Sequence, residues 1–341
     1  VTRRMTAEEL NAAEARRTPA LEFPFKLDTF QREAVTHVDE GESVFVAAHT
    51  SAGKTVVAEY AIAQCARNCT RCIYTSPIKA LSNQKYRELY EEFGDVGLMT
   101  GDTTIAPNAS CLVMTTEILR SMLYRGSDVV RDIEWVIFDE VHYVNDSERG
   151  VVWEETIILL PDHVGMVFLS ATTPNTVEFC EWIGRTKRRP VHVVTTAHRP
   201  VPLSHALLAK NKAFPLLTPE GRFLPDGRSE AAVKLAGKVT RSSGMRGPGR
   251  GGGAGRAGGH GVRGGRSWGR GDKEQWMGVV QHLTKHELTP AVVFLFSKQQ
   301  CADAASMLSG AGLLNHAEQA QVRGFVDAAA SRLHGSDKRL G

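Results

Sequence analysis

From Ser43 onward, short apolar runs alternate with amphipathic stretches. Ser43–Ala47, Arg71–Thr75, Cys111–Thr115, Trp135–Asp139, Met166–Ser170 and Val191–Thr195 are each five residues long and rich in Val, Ile and Phe. Runs of that length and composition predict buried strands. Between them, Thr55–Ala66, Ala80–Phe93, Thr116–Arg125, Val151–Leu160 and Thr176–Arg185 carry helical periodicity. Strict alternation of strand and helix predicts an α/β fold, a parallel sheet with helices on both faces. Ligands of such sheets bind beyond the carboxyl ends of the strands, so chemistry is expected there.

Outside this block the pattern changes. Residues 1–20 are polar and read as a mobile lead-in. After Leu208 the periodicity weakens, and 209–240 reads as a loop and a short helix within a linker spanning 209–272. Order is expected to return near Lys273, with a helix at Gln275–His286, a buried-strand run at Ala291–Phe296 and a helix at Lys298–Leu308. Residues 273–341 thus read as the truncated start of a second α/β unit, behind a first domain at 21–208.

Composition sharpens that division. The 341 residues suit two domains, and 42% hydrophobic against 23% charged residues excludes a wholly disordered chain. Fourteen of the 32 glycines fall in residues 244–271, with six arginines and no acid. Such a tract cannot bury enough apolar surface to fold and is expected to be disordered. The formal charge of +3 falls to −3 once those six arginines are set aside. The globular part must therefore bind any nucleic acid through placed groups rather than bulk charge.

No apolar run approaches the roughly 20 residues of a membrane span, so no membrane partner is expected. Val1–Ala15 is charged and holds no signal-peptide core. A first residue that is valine and a final glycine after Arg339–Leu340 read as the ends of a fragment, leaving an upstream targeting segment open. Six scattered cysteines are too few for a secreted disulfide framework. Cys65, Cys69 and Cys72 cluster without a nearby fourth ligand, so reduced cysteines around a helix end are expected rather than zinc.

The residues that carry chemistry stand at the predicted strand ends. Ala48, His49, Thr50, Ser51, Ala52, Gly53, Lys54 and Thr55 follow one strand and open a helix, the context of a phosphate-binding loop. Gly53 lets the backbone approach phosphates, and the helix N-terminus supplies free N–H groups. Lys54 can reach the β and γ phosphates, and Thr55 can ligate Mg²⁺. Ala48 stands where the usual pattern has its first glycine. Asp139 and Glu140 end another strand, followed by Val141 and His142. Asp139 suits a second Mg²⁺-holding group, and Glu140 can orient and deprotonate an attacking water. Ser170, Ala171 and Thr172 end a third strand, where capping of the next helix by Thr173 or Asn175 is the plainer alternative.

Loop, Asp-Glu-Val-His and Ser-Ala-Thr in this order resemble a superfamily-2 helicase of the DExH class. The resemblance implies an ATP- and Mg²⁺-dependent RNA helicase with RecA-like domains. It assigns adenine recognition to the segment Phe23–Gln31, with Gln31 reading the base edge and Phe25 stacking on it. It gives His142, Ser170 and Thr172 the task of coupling hydrolysis to nucleic acid. Two further segments, Thr75–Lys85 and Thr115–Arg120, are similar to the family's RNA-contacting motifs, with Thr100-Gly-Asp102 between them. Ser76, Pro77, Lys79, Gly101, Thr115, Thr116 and Arg120 are the expected contacts. Their hydroxyls, backbone N–H groups and charges position phosphates without reading bases. Taken alone, the charged run Lys79–Lys85 would be an ordinary solvated helix face.

The match narrows to the exosome-associated helicases. Asp139–Asp146, Trp182–Lys187, Arg199–Leu203 and Arg332–Lys338 are most similar to the cytoplasmic superkiller type, with the nuclear exosome helicase as the alternative. The superkiller resemblance implies 3′→5′ movement on single-stranded RNA, delivery to the cytoplasmic exosome, and Ski complex partners built of tetratricopeptide repeats and β-propellers. The family's arginine finger, arch and ratchet domains have no counterpart among these residues. A truncated chain of this kind has a second reading, a nucleotide-dependent RNA-binding module without unwinding.

Overall fold

The computed structural model describes residues 4–146, 150–171, 175–209, 212–218, 221–236 and 270–331. The chain divides into two compact units, Val1–Val201 and Pro202–Gly341. The division comes seven residues before the 208 boundary expected from the weakening pattern.

The first unit is built on one eight-stranded sheet. Its strands are β1 (Ser43–Ala47), β2 (Arg71–Ser76), β3 (Val96–Met99), β4 (Thr104–Ile105), β5 (Cys111–Thr115), β6 (Ile133–Phe138), β7 (Gly165–Ser170) and β8 (Val191–Thr195). Their order is β4-β3-β5-β2-β6-β7-β1-β8. Every pairing is parallel except that of β4, which runs antiparallel to β3 at the edge. The six predicted strands are all present, within two residues of the expected ends.

Helices cover both faces. On one side lie α2 (Thr29–Asp39), α3 (Thr55–Asn68) and α4 (Lys79–Phe93), packed on Val44, Val46, Tyr74, Trp135, Ile137 and Leu169. On the other lie α5 (Thr116–Arg125), α6 (Gly150–Leu159) and α7 (Thr176–Lys187), packed on Phe45, Ile73, Phe138, Met166 and Phe168. Successive residues of a strand thus serve opposite cores, the reason these strands read as unbroken apolar runs. Phe45 and Phe138 each stack on Phe168, at 5.9 and 5.0 Å, and Trp153 of α6 lies 5.6 Å from Phe138. Ring pairs of this kind add about 0.5–1.5 kcal/mol each beyond the area they bury.

The lead-in departs from expectation. Residues Ala7–Arg16 form α1, capped by Thr6, whose hydroxyl accepts from the Glu9 amide while the Glu9 carboxylate accepts from the Thr6 amide. Leu10 is fully buried. A two-point contact then fixes α1 to α2, with Arg32 Nε and Nη2 donating to the two Glu14 carboxylate oxygens at 2.7 and 2.6 Å.

In the second unit, β9 (His205–Ala209) and β10 (Lys212–Leu217) pair antiparallel, and α8 (Pro225–Ala236) follows, where a loop and short helix were expected. Then come α9 (Arg270–Lys285), α10 (Lys298–Leu308) and α11 (His316–Ser331). Residues 244–269 of the glycine-arginine tract lie outside the described residues, and its last two residues, Arg270 and Gly271, begin α9. Ala291–Phe296 forms no strand. No described strand pairs with it, and Val292, Phe294 and Phe296 are exposed.

Candidate active site

Three carboxyl ends of neighbouring strands converge at one sheet edge. The order β6-β7-β1 sets Asp139, Ser170 and the loop 48–55 side by side. The ladder runs one residue past the strands, with Ala48 N–H donating to Ser170 O and Asp139 N–H to Thr75 O, at 3.2 and 2.9 Å. Each loop therefore leaves the sheet from a fixed point.

Inside the loop, Ser51 and Gly53 have φ of +65° and +81°, a backbone path open to glycine and strained for other residues. The Lys54 ammonium folds back and donates to the carbonyls of Ala48 and His49, at 2.8 and 3.2 Å. Burial lowers its pKa, while the charges of Glu140 and Asp139 act in the opposite sense. The cation of the loop and the two acids after β6 thus share one electrostatic site. Thr55 opens α3, whose first amides face the same edge.

Gln31 is buried and already joined to this loop. Its carbonyl accepts from the Asp28 amide at 2.8 Å, closing the N-terminal cap of α2, and its amide donates to Gly53 O at 2.9 Å. The side chain expected to read adenine is thereby held in one orientation from two sides. Phe25 is half exposed, 5.6 Å from the Phe23 ring, whereas Phe30 is buried in the core. The exposed ring is the one free to stack.

At the acidic pair, Asp139 is nearly buried and both its oxygens are engaged. Oδ1 accepts from the Glu140 amide at 2.9 Å, and Oδ2 from the Tyr74 phenol at 2.6 Å. Burial first, and Asp139 next, raise the Tyr74 pKa well above its usual value, so the phenol stays a donor. Glu140 adopts φ +54° and ψ +47°. His142 Nδ1 lies 3.3 Å from Glu140 Oε2 without the alignment of a hydrogen bond. His142 and Ser170 line a cavity of about 70 Å³ with Phe45, Asn145 and Phe179. Among the described residues the Ser170 hydroxyl is buried without a hydrogen-bond partner. Thr172 lies outside the described residues.

An oxygen-only donor set of one hydroxyl and one carboxylate, beside a lysine and a helix N-terminus, fits Mg²⁺ with phosphates. Thr55 and Asp139 are the residues that could hold the ion.

The residues expected to meet RNA divide in two. Ser76, Pro77, Thr115 and Thr116 are buried, and the Ser76 hydroxyl bonds that of Ser82 at 2.7 Å. Lys79 and Gly101 are exposed, and Arg120, partly exposed, donates to Glu155 at 3.1 Å. Lys79 is itself paired, donating to Asp102 Oδ1 at 3.1 Å, and the Thr100 hydroxyl donates to the same oxygen at 3.0 Å. Tyr74 was missed from the sequence: only the pairing of β2 with β6 brings it to Asp139.

Cys65, Cys72 and Cys111 are buried and Cys69 is exposed, and none of them is in a disulfide. Contact with the Cys65 and Cys111 thiols, after burial itself, pushes the Cys72 pKa well up. No described helix is long and apolar enough to cross a membrane.

Comparison with known proteins finds helicases. Residues 28–179 match the DEAD/DEAH box helicase family. The chain is 48% identical to the DExH-box ATP-dependent RNA helicase DExH11 of Arabidopsis thaliana, over 94% of its own length and 26% of that protein. It is 50% identical to the antiviral helicase SKI2 of Saccharomyces cerevisiae, over 94% and 28%. It is also 50% identical to the exosome RNA helicase MTR4 of Homo sapiens, over 94% and 29%. The chain therefore spans about a quarter of the length of the curated relatives it matches. Its first unit is a RecA-like helicase domain of the DEAD/DEAH box kind, and the chain is similar to DExH-box RNA helicases of both the superkiller and the MTR4 type.

Proposed function

We propose that the protein hydrolyses ATP to move 3′→5′ along single-stranded RNA and feeds that RNA to the cytoplasmic exosome. The observation that carries the hydrolytic part is the convergence of the Lys54 loop with Asp139 and Glu140 at one sheet edge. In this reading Gln31 and Phe25 take the adenine, and residues 48–55 cradle the phosphates. Mg²⁺, held by Thr55 and Asp139, would supply charge neutralisation at the phosphates. Glu140 accepts the proton of the attacking water, and Lys54 gathers charge at the phosphate oxygens. His142 and Ser170, facing one cavity, relay the state of the site toward the helix following β7. Lys79, Gly101 and Arg120 contact RNA phosphates, with backbone groups of the segments at Ser76, Pro77, Thr115 and Thr116 beside them.

The cytoplasmic assignment, with Ski complex partners of tetratricopeptide-repeat and β-propeller type, is supported by Asp139–Asp146 and Arg199–Leu203. A nuclear exosome helicase is the second reading, favoured by the equal identity to MTR4. Co-purification from fractionated cells separates the two by the subunits recovered. For hydrolysis, Glu140→Gln should retain ATP binding and lose about 10²–10⁴-fold in RNA-stimulated turnover. Turnover near the parent level would refute the role of Glu140. RNA-dependent binding with no turnover in the parent protein would leave a binding module.

A further inference from the structure

Tyr74 is fully buried in β2, opposite Ile137 of β6. Phenylalanine would fill that place in the core equally well. The additional hydroxyl costs free energy in an apolar interior unless it is bonded. The partner it finds is a carboxylate, Asp139 Oδ2, at 2.6 Å. With Oδ1 held by the Glu140 amide at 2.9 Å, the plane of the carboxylate is fixed at both oxygens. Each oxygen keeps lone pairs for a further ligand. Two residues after Tyr74, the same strand ends at Ser76 and leads into Lys79.

We infer that Tyr74 is a positioning residue for the divalent cation, orienting the Asp139 carboxylate from the strand that leads to the RNA-contacting segment. The inference rests on Asp139 as the cation-holding group. Partners of this kind behind metal ligands are worth about 10- to 100-fold in metal affinity.

The test is Tyr74→Phe in the 341-residue chain, read by binding of a fluorescent non-hydrolysable ATP analogue across a Mg²⁺ series. The Mg²⁺ concentration for half-maximal binding should rise about 10- to 100-fold. Binding measured in chelator should stay within about twofold of the parent, because Lys54 and Gln31 are untouched. A purely structural role would lower the melting midpoint without moving the Mg²⁺ midpoint. Asp139→Asn is the second variant. On that background Tyr74→Phe should leave the Mg²⁺ dependence where Asp139→Asn alone puts it. An unchanged Mg²⁺ midpoint in Tyr74→Phe, or the same shift with and without Asp139, overturns the inference. A parent chain that binds the analogue with no Mg²⁺ dependence overturns the reading of Asp139 itself, and the inference with it.

Discussion

Gly53→Ala is the sharpest perturbation of the proposed nucleotide site. Gly53 has φ +81°, and a methyl group added there would sit 2.6 Å from Gln31 Nε2, the atom that donates to Gly53 O. Two costs follow. Holding alanine in left-handed backbone costs about 1–2 kcal/mol. Displacing the Gln31 amide loses a hydrogen bond worth about 0.5–1.5 kcal/mol. If both fall on the loop conformation that binds nucleotide, affinity drops by about 1.5–3.5 kcal/mol, roughly 10- to 300-fold. Equilibrium binding of a fluorescent ATP analogue reads the loss, and a urea melt checks that the core persists. Gln31→Ala supplies the control, since it removes the atom the new methyl group meets. On that background Gly53→Ala should cost only the backbone part, leaving the double mutant about 1 kcal/mol short of additivity. Affinity within twofold of the parent, or strict additivity, would refute the claim that Gln31 and Gly53 form one unit.

Four other outcomes are expected. Leu10→Ala should cost about 2–4 kcal/mol of unfolding free energy in urea, and a loss below about 0.5 kcal/mol would show that α1 is not part of the fold. Burial, with stacked His192 next, lowers the His37 pKa to about 4, so its contribution to stability is complete above about pH 6.5 and is lost as pH falls toward 4. Glu59 acts in the opposite sense: burial, with Glu92 next, raises its pKa to about 7, and stability falls as pH rises from about 4.5 through 7. His37→Asn should flatten the acid side of a melting profile and Glu59→Gln the neutral side, and no change from either would contradict the assignments. Asp102→Asn should free Lys79 and Thr100 and raise affinity for single-stranded RNA about two- to fivefold, with no effect once Lys79 is alanine. A fall in affinity would instead mark the Asp102 carboxylate itself as a contact.

The parallel sheet was legible because strands buried on both faces carry unbroken apolar runs, and Phe45, Phe138 and Phe168 stand in such runs. The placing of the loop 48–55 and of Asp139 and Glu140 at neighbouring strand ends was legible because each follows an apolar strand directly in sequence. Helix α1 left a signal that composition outweighed: Thr6 and Glu9 have the spacing of a reciprocal cap, but the segment around them is polar. Strand β3 is four residues long and includes Gly97, too short a run to register. Tyr74 could not be found locally, because what matters about it is its neighbour across the sheet. Ala291–Phe296 failed for a related reason. An apolar run states a preference for a sheet, and a strand exists only where another strand accepts it.

The left-handed backbone at Glu140 has a consequence for how such a chain evolves. A non-glycine residue at φ +54° carries about 1–2 kcal/mol of conformational cost. It is held by its own amide on Asp139 and by its carbonyl, which accepts from the Tyr143 amide at 3.1 Å. Glycine at this position would relieve the cost and remove the carboxylate. If Glu140 takes the proton of the attacking water as proposed, selection for a durable fold and selection for turnover pull this one codon in opposite directions. A lineage released from the need for hydrolysis should drift toward glycine or asparagine here, gaining a more stable domain as it becomes an inert one.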